Sequence, residues 1–171
     1  MFTRPASDEY IPYQNQYISI VSEGNIIELL DRQQADTVNY FSSLNEQQAL
    51  YRYAADKWSL KEVLGHIADT EAIMSYRLLR IARGDRTALP GFEQDDYIEP
   101  ASFDTLSNEE LLERYTSIRR STLSLLRTLP ITAPARRGIV NNHEMSVNAL
   151  AYVIAGHELH HMNIIRERYN A

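Results

Sequence analysis

The chain of 171 residues contains no cysteine. That excludes disulfides, a protein-derived thiolate nucleophile and any zinc site built on sulfur, so thiol chemistry would have to use a thiol brought in from outside. Basic excess is also missing: 17 Lys and Arg stand against 23 Asp and Glu, for a net charge of -6. Without a positive footprint for a phosphate backbone, nucleic acid is not an expected partner. No apolar run approaches the roughly 20 residues that a membrane helix needs, and the opening "MFTRPASDEY" lacks the apolar centre of a secretory signal. The expectation is a cytoplasmic protein with no membrane contact. Strand-type alternation is nearly absent as well. What is present, 44% hydrophobic and 23% charged residues, is a soluble globular composition, long enough for one well-buried core. A single domain over residues 1–171 is expected, with residues 1–20 as an N-terminal extension.

Four stretches repeat their apolar residues with the 3.6-residue period of a helix. The spacing predicts helices from about Asn25 to Leu44, Ser59 to Gly84, Ser107 to Pro130, and from Ser146 onward. Ile26, Leu29, Leu30, Val38 and Phe41 give the first its stripe. Ser59 with Glu62, and Ser107 with Glu110, have the spacing of capping boxes, in which hydroxyl and carboxylate each accept a backbone N–H that the helix start leaves free. Gly84 and Pro130 end the second and third helices. Four helices of roughly 20 residues predict an all-α fold, a four-helix bundle with long connecting loops. Those connections, Asn45 to Trp58, Asp85 to Leu106 and Ile131 to Met145, are expected to form the rim of a site or long crossovers. The up-down order of the helices stays open.

The last predicted helix holds three of the five histidines in "GHELHHMNIIRERY". His157-Glu158-Leu159-His160-His161 fits H-E-x-x-H, the zincin pattern in which two histidines one turn apart bind zinc and the glutamate is the general base. A second reading keeps only the two outer histidines as ligands and takes a third from elsewhere in the chain. A third has them all packed or solvated. Helix phase places Val147, Leu150, Ile154, His157, His161 and Ile164 on one stripe, so His157 and His161 turn inward. Glu158 is rotated about 100° from His157 onto the helix flank, and His160 flanks the site or faces solvent. Two imidazoles in an apolar core each need a partner, and a metal satisfies both, although carbonyls or water would also serve. Zincins take their third ligand downstream, where only Glu167 follows, and this speaks against a protease. His66, inside an apolar helix, is the best third ligand. His143 lies about 14 residues before His157, some 20 Å of helix rise away, and is a candidate lid residue instead. Gly65 and Gly156 each precede a proposed ligand and cost up to about 1 kcal/mol of helix stability, which predicts a close approach there.

"KWSLKEVLGHIADTE" around His66 and "GHELHHMNIIRERY" around His157 and His161 resemble the DinB-like superfamily, as do "RLLRIARGDRTALPGFEQDDY" and "LSNEELLERYTSIRRSTLSLLRTLP" between them. These are four-helix-bundle proteins that include bacillithiol- and mycothiol-dependent S-transferases. The likeness runs from about Tyr17 to Tyr169, and its specific part is H-x-x-x-H combined with Lys57-Trp58-Ser59 and the central Leu-Pro-Gly-Phe. The resemblance implies a divalent metal ion, zinc or nickel, held by His66, His157 and His161 in a site open on one side, often in a homodimer. It does not imply one activity, because the family contains transferases, isomerases and members whose substrates are unknown.

On these grounds the expected function is a metal-dependent, thiol-dependent S-transferase acting on small electrophiles. Its partners would be a small-molecule substrate and a low-molecular-weight thiol. A metal-dependent hydrolase of a small molecule is the first alternative, and a non-catalytic metal- or ligand-binding stress protein is the second. No catalytic residue is assigned. Glu62, Asp69, Glu71 and Tyr152 lie within one or two turns of a proposed ligand and read as solvated, capping or supporting groups. Arg77 is either a contact for an anionic substrate or a plain surface arginine, and the run Glu93 to Tyr97 is equally unassigned.

Overall fold

Each long helix starts at the cap that the sequence supplies. In the computed structural model, which describes residues 2–169, the elements in chain order are α1 (Asn15–Ile18), α2 (Ile26–Ser42), α3 (Glu46–Ala49), α4 (Leu60–Ala82), α5 (Asp95–Ala101), α6 (Asn108–Arg127), the strands β1 (Arg137–Val140) and β2 (His143–Ser146), and α7 (Val147–Arg168). Asn25 accepts the Ile27 amide to open α2, and Ser146 accepts the Ala149 amide to open α7. Ser59 with Glu62 and Ser107 with Glu110 form complete capping boxes at α4 and α6. Among the described residues, no helix is long and apolar enough to cross a membrane.

The bundle is made of α2, α4, α6 and α7. Helix α2 packs on α6 and α7, and α4 packs on the same two, so α2 and α4 stand diagonally opposed. Cross-helix contacts give the directions. Gln33 reaches Ala155 and Thr37 reaches Glu158, so α2 and α7 run parallel. Asp69 pairs with Arg114 and Lys61 reaches Leu106, so α4 and α6 run parallel too. Arg119 meets Leu30 while Asn108 meets Phe41, making α2 and α6 antiparallel. The order is therefore up, down, down, up. Two of the three connections cross a diagonal and the third joins parallel neighbours, which none of the short hairpin links of a simple bundle can do. This is the physical reason for the long linkers.

Those linkers are not bare loops, for they hold α3, α5 and a β-hairpin. The hairpin is an addition to the all-α bundle that the sequence did not signal. Its strands are four residues each, too short to show alternation, and its turn is Asn141-Asn142 with φ of 48° and 63°. Both central residues at positive φ is the I′ geometry that matches strand twist, and asparagine tolerates it. The N-terminal segment lies along α7, with Ile11, Ile18 and Val21 buried.

Helix α7 is the centre of the molecule. Every residue from Val147 to Glu158 is buried, a far wider surface than the predicted stripe, because α2, α4 and the N-terminal segment cover it on several sides. Two apolar clusters fill the bundle. One contains Leu30, Leu78, Leu123 and Leu150, and the other contains Phe41, Leu64, Tyr115 and Ile165. Between them on every helix comes a polar residue: Thr37, Glu71, Arg119 and Glu158. The two histidine-bearing helices meet at this level.

Candidate functional site

His66 from α4 and His157 and His161 from α7 converge. Their candidate ligand atoms lie within 4.8 Å of one another. His157 Nε2 is 3.0 Å from His66 Nε2 and 3.1 Å from His161 Nε2. Nitrogens about 2.0–2.1 Å from a tetrahedral zinc would be roughly 3.3 Å apart, close to two of the three spacings, and the third pair, His66 and His161, lies within 4.8 Å and would close around an ion. Hydrogen bonding to carbonyls or carboxylates does not account for the rings, since among the described residues no protein oxygen bonds any of the three. Three ring nitrogens within 4.8 Å of one another are a donor set that could hold one divalent metal ion.

Local packing explains the aim. His157 and His161 share a face one turn apart, and α4 runs antiparallel beside them, bringing His66 to the same height. Trp58, the single tryptophan of the chain, lies 4.8 Å from the His66 ring and stacks over His161 at 6.4 Å. Tyr17 meets His157 edge-on at 5.4 Å. The predicted close approaches at both glycines exist, but short helical pieces outside the four-helix bundle make them. A Cβ on Gly156 would overlap the Tyr17 carbonyl, and one on Gly65 would come within 2.6 Å of the Phe103 ring.

Burial keeps the triad neutral. It pushes His66 down to about 4. It also pushes His161 down to about 3, with help from the neighbouring His66 and His160. His157 is held well below the usual imidazole value by burial and then by the other histidines. The unfolded chain takes up protons near pH 6.5 that the folded, metal-free protein refuses. Stability of the metal-free protein is therefore full above about pH 6.5 and falls toward pH 4, by up to about 1.4 kcal/mol per pH unit for each histidine. Thermal melts of metal-stripped protein from pH 7 to 4.5 are expected to show this decline, shallower in His66→Ala. A flat profile would contradict buried, neutral rings.

Glu158 faces away from the triad, as its helix phase predicts, but into the core and not onto an open flank: it is 1% exposed. Its Oε1 accepts from Thr37 Oγ1 at 2.5 Å and Tyr115 OH at 2.6 Å, and its Oε2 pairs with Arg119. Arg119 also holds Glu71 through Nε at 2.8 Å and Nη2 at 2.7 Å, and donates to the Leu30 carbonyl. Burial disfavours this cation, but the carboxylates of Glu158 and Glu71 more than offset it and hold it well above the usual arginine range. Burial pushes the Tyr115 hydroxyl up and Glu158 adds to it, so Tyr115 stays protonated and donates. With both oxygens committed, Glu158 has none left for the base of the zincin reading.

The other residues singled out from the sequence take structural positions. Glu62 caps α4 and pairs with Arg52 at 2.5 Å, Asp69 pairs with Arg114, and Tyr152 is buried under the Arg4 guanidinium. His160 flanks the site, 5.3 Å from the Tyr17 ring. His143 is exposed on β2, opposite Val140, and is not part of the cluster. Arg77 is no surface residue: it is 5% exposed, donates to the Pro90 carbonyl at 2.5 Å and covers the Phe92 ring. It pins the Leu89–Phe92 loop, whose Leu89 also pairs with the hairpin.

Two cavities meet at the triad. One of about 370 Å³ reaches His66 and His157, and the other, of about 320 Å³, reaches His161 beside Trp58 and Lys57. Asp95, at the start of α5, lines both. Larger hollows of about 590 and 540 Å³ lie in grooves beside α6 with no histidine in their walls. Tyr13, Gln14 and Tyr17 of the N-terminal segment and Asn141 of the hairpin turn wall the first cavity. The sequence reading missed all four. A tyrosine repeat at positions 10, 13 and 17 carried the signal of a helical face there.

A four-helix bundle with three histidines gathered in its interior, two buried and His161 half-buried, defines the class of protein. Residues 29–165 match the DinB superfamily, and the chain belongs to that family. It is 27% identical over 142 residues to a "Putative metal-dependent hydrolase" of Oceanobacillus iheyensis, covering 82% of this chain and 79% of that protein. Its fold matches that of YfiT from Bacillus subtilis with a TM-score of 0.73 at 16% identity, over 90% of this chain and 95% of the other. That protein is described as "a probable metal-dependent hydrolase with an unusual four-helix bundle topology".

Proposed function

We propose that the protein is a metal-dependent hydrolase of a small molecule, with His66, His157 and His161 holding one divalent ion. The observation that carries this reading is the convergence of three Nε2 atoms, on buried His66 and His157 and half-buried His161, where two cavities large enough for a small substrate open. Bound there, zinc or nickel supplies Lewis-acid activation of water and polarises the bond to be cleaved. The chain does the rest. Neutral imidazoles leave the ion its full charge. Trp58 and Tyr17 fix the rings, and the Arg119 network locks α7 against α4 and α6. We assign the exposed Asp95 carboxylate, which lines both cavities, to accept the proton that the nucleophile gives up, on its place in their walls. The names of the relatives accord with this reaction class.

A second reading, S-transfer from an external thiol, is favoured by one observation: two cavities flank the triad, room for a thiol on one side and an electrophile on the other. One assay separates the two. Metal-loaded and metal-stripped protein would be compared on a panel of small esters, amides and lactams, and on conjugation of a model electrophile with bacillithiol, mycothiol, glutathione and cysteine. Hydrolysis by the loaded form only, lost in Asp95→Asn at unchanged metal content, is the expected result. Conjugation without hydrolysis would establish the transferase, and equal rates with and without metal would remove both.

A further inference from the structure

Two polar side chains in the wall of the 370 Å³ cavity are buried without partners. Gln14 is 1% exposed and Thr70 is 4% exposed, yet among the described residues neither Gln14 Oε1 nor Thr70 Oγ1 has a hydrogen-bond partner. An unmade bond of this kind costs about 1–3 kcal/mol, so native structures keep few without a reason. The contrast with similar groups in the chain is informative. Thr116, Thr122 and Thr128 each donate to the carbonyl one turn back, the ordinary resource of a helical threonine, but Thr70 does not. Gln33 and Asn108 also leave an oxygen free, but each uses its amide nitrogen on a backbone carbonyl. The Gln14 amide makes no side-chain hydrogen bond at either end among the described residues.

Their placement relates them to the histidines. Thr70 is one turn after His66 on the same face of α4, about 6 Å further along the cavity. Gln14 approaches from the N-terminal segment, close to Tyr17 and so to His157. The charges around them have one sign. Glu93 and Asp95 line the cavity and no lysine or arginine does. The nearest candidate, Arg77, is turned onto the Pro90 carbonyl and the Phe92 ring.

We propose that Gln14 and Thr70 recognise an N–H donor on the substrate, so that the substrate is a small neutral or cationic molecule carrying an amide or amino group about one helical turn from the bond that reacts. This rests on the metal centre proposed above. Both oxygens lie just beneath the cavity surface, and a turn of each side chain presents them: Gln14 Oε1 then accepts from the N–H group, Thr70 Oγ1 takes the second hydrogen bond, and the acidic wall disfavours a carboxylate or phosphate in the same place.

The test uses metal-binding hydroxamates that differ only at the far end: succinamic hydroxamate (carboxamide), 4-aminobutane hydroxamate (ammonium), 4-methylpentane hydroxamate (apolar, shaped like the carboxamide) and succinic monohydroxamate (carboxylate). Binding to zinc-loaded full-length protein is measured by calorimetry. The carboxamide or the ammonium is expected to bind at least about tenfold more tightly than the apolar and carboxylate probes. That ratio should fall to near one in Thr70→Val and Gln14→Leu and be kept in Thr70→Ser. Equal affinity for all four probes, or a preference that neither variant moves, would overturn the recognition site while leaving the metal centre in place. Binding unchanged by removal of zinc would overturn the open metal centre and the proposal with it, and binding absent for every probe with zinc retained would overturn the recognition site alone.

Discussion

His157→Ala is expected to abolish metal uptake while leaving a folded bundle. His157 Nε2 is the atom nearest both other ligands, so its loss leaves His66 and His161 without the ring that lies between them. Losing an outer partner of a ligand typically costs about 10–100-fold in affinity, so losing this ligand should cost more than about 100-fold. The wild type should gain about 2.7 kcal/mol of stability at metal concentrations near 100 times its dissociation constant, and the variant should gain nothing measurable. Melting curves with and without zinc, at equal helical circular dichroism, check this. His160→Ala, whose ring flanks the site without converging on it, should keep the gain. A metal-dependent shift surviving in His157→Ala would mean that the ion binds elsewhere.

The second large effect concerns Arg119. It is fully buried and shared by two buried carboxylates, so the cluster of Glu71, Arg119 and Glu158 carries a formal charge of about -1 before the metal is counted. Arg119→Met would leave both carboxylates unpaired. Breaking a buried pair in this way costs about 3–5 kcal/mol. For a chain of this size that lowers Tm by roughly 6–20 °C. Glu158→Gln should be milder, about 1–3 kcal/mol, because the forked Glu71–Arg119 pair survives it. It should also keep its metal and most of its activity. A fall of several orders of magnitude in turnover with metal retained would restore the zincin assignment. An unchanged Tm in Arg119→Met would mean that the cluster does not hold the helices.

The contrast between histidines and charges shows what the sequence could disclose. Helix starts were legible because Asn25, Ser59, Ser107 and Ser146 are local signals that tertiary packing did not override. The triad was legible because four-residue spacing on an apolar stripe forces two rings inward, and a lone histidine in another apolar helix had one place to go. Arg77, Arg119, Glu71 and Glu158 were not, because periodicity cannot tell a polar residue in a buried layer from one in water. Nor does a single chain show that α2 and α4 stand on a diagonal, although long linkers were its trace. The cavity walls from the N-terminal segment and the Asn141 turn are tertiary neighbours of the triad and lie far from it in sequence.

The central claim is that three histidines from two helices hold one divalent ion. Metal analysis combined with X-ray absorption at the zinc edge, on zinc-loaded full-length protein, tests it most directly. The expected result is one zinc per chain, with scattering from three imidazole rings at about 2.0–2.1 Å, reduced in His66→Ala. Substoichiometric zinc, or a coordination shell without imidazole scattering, would contradict it.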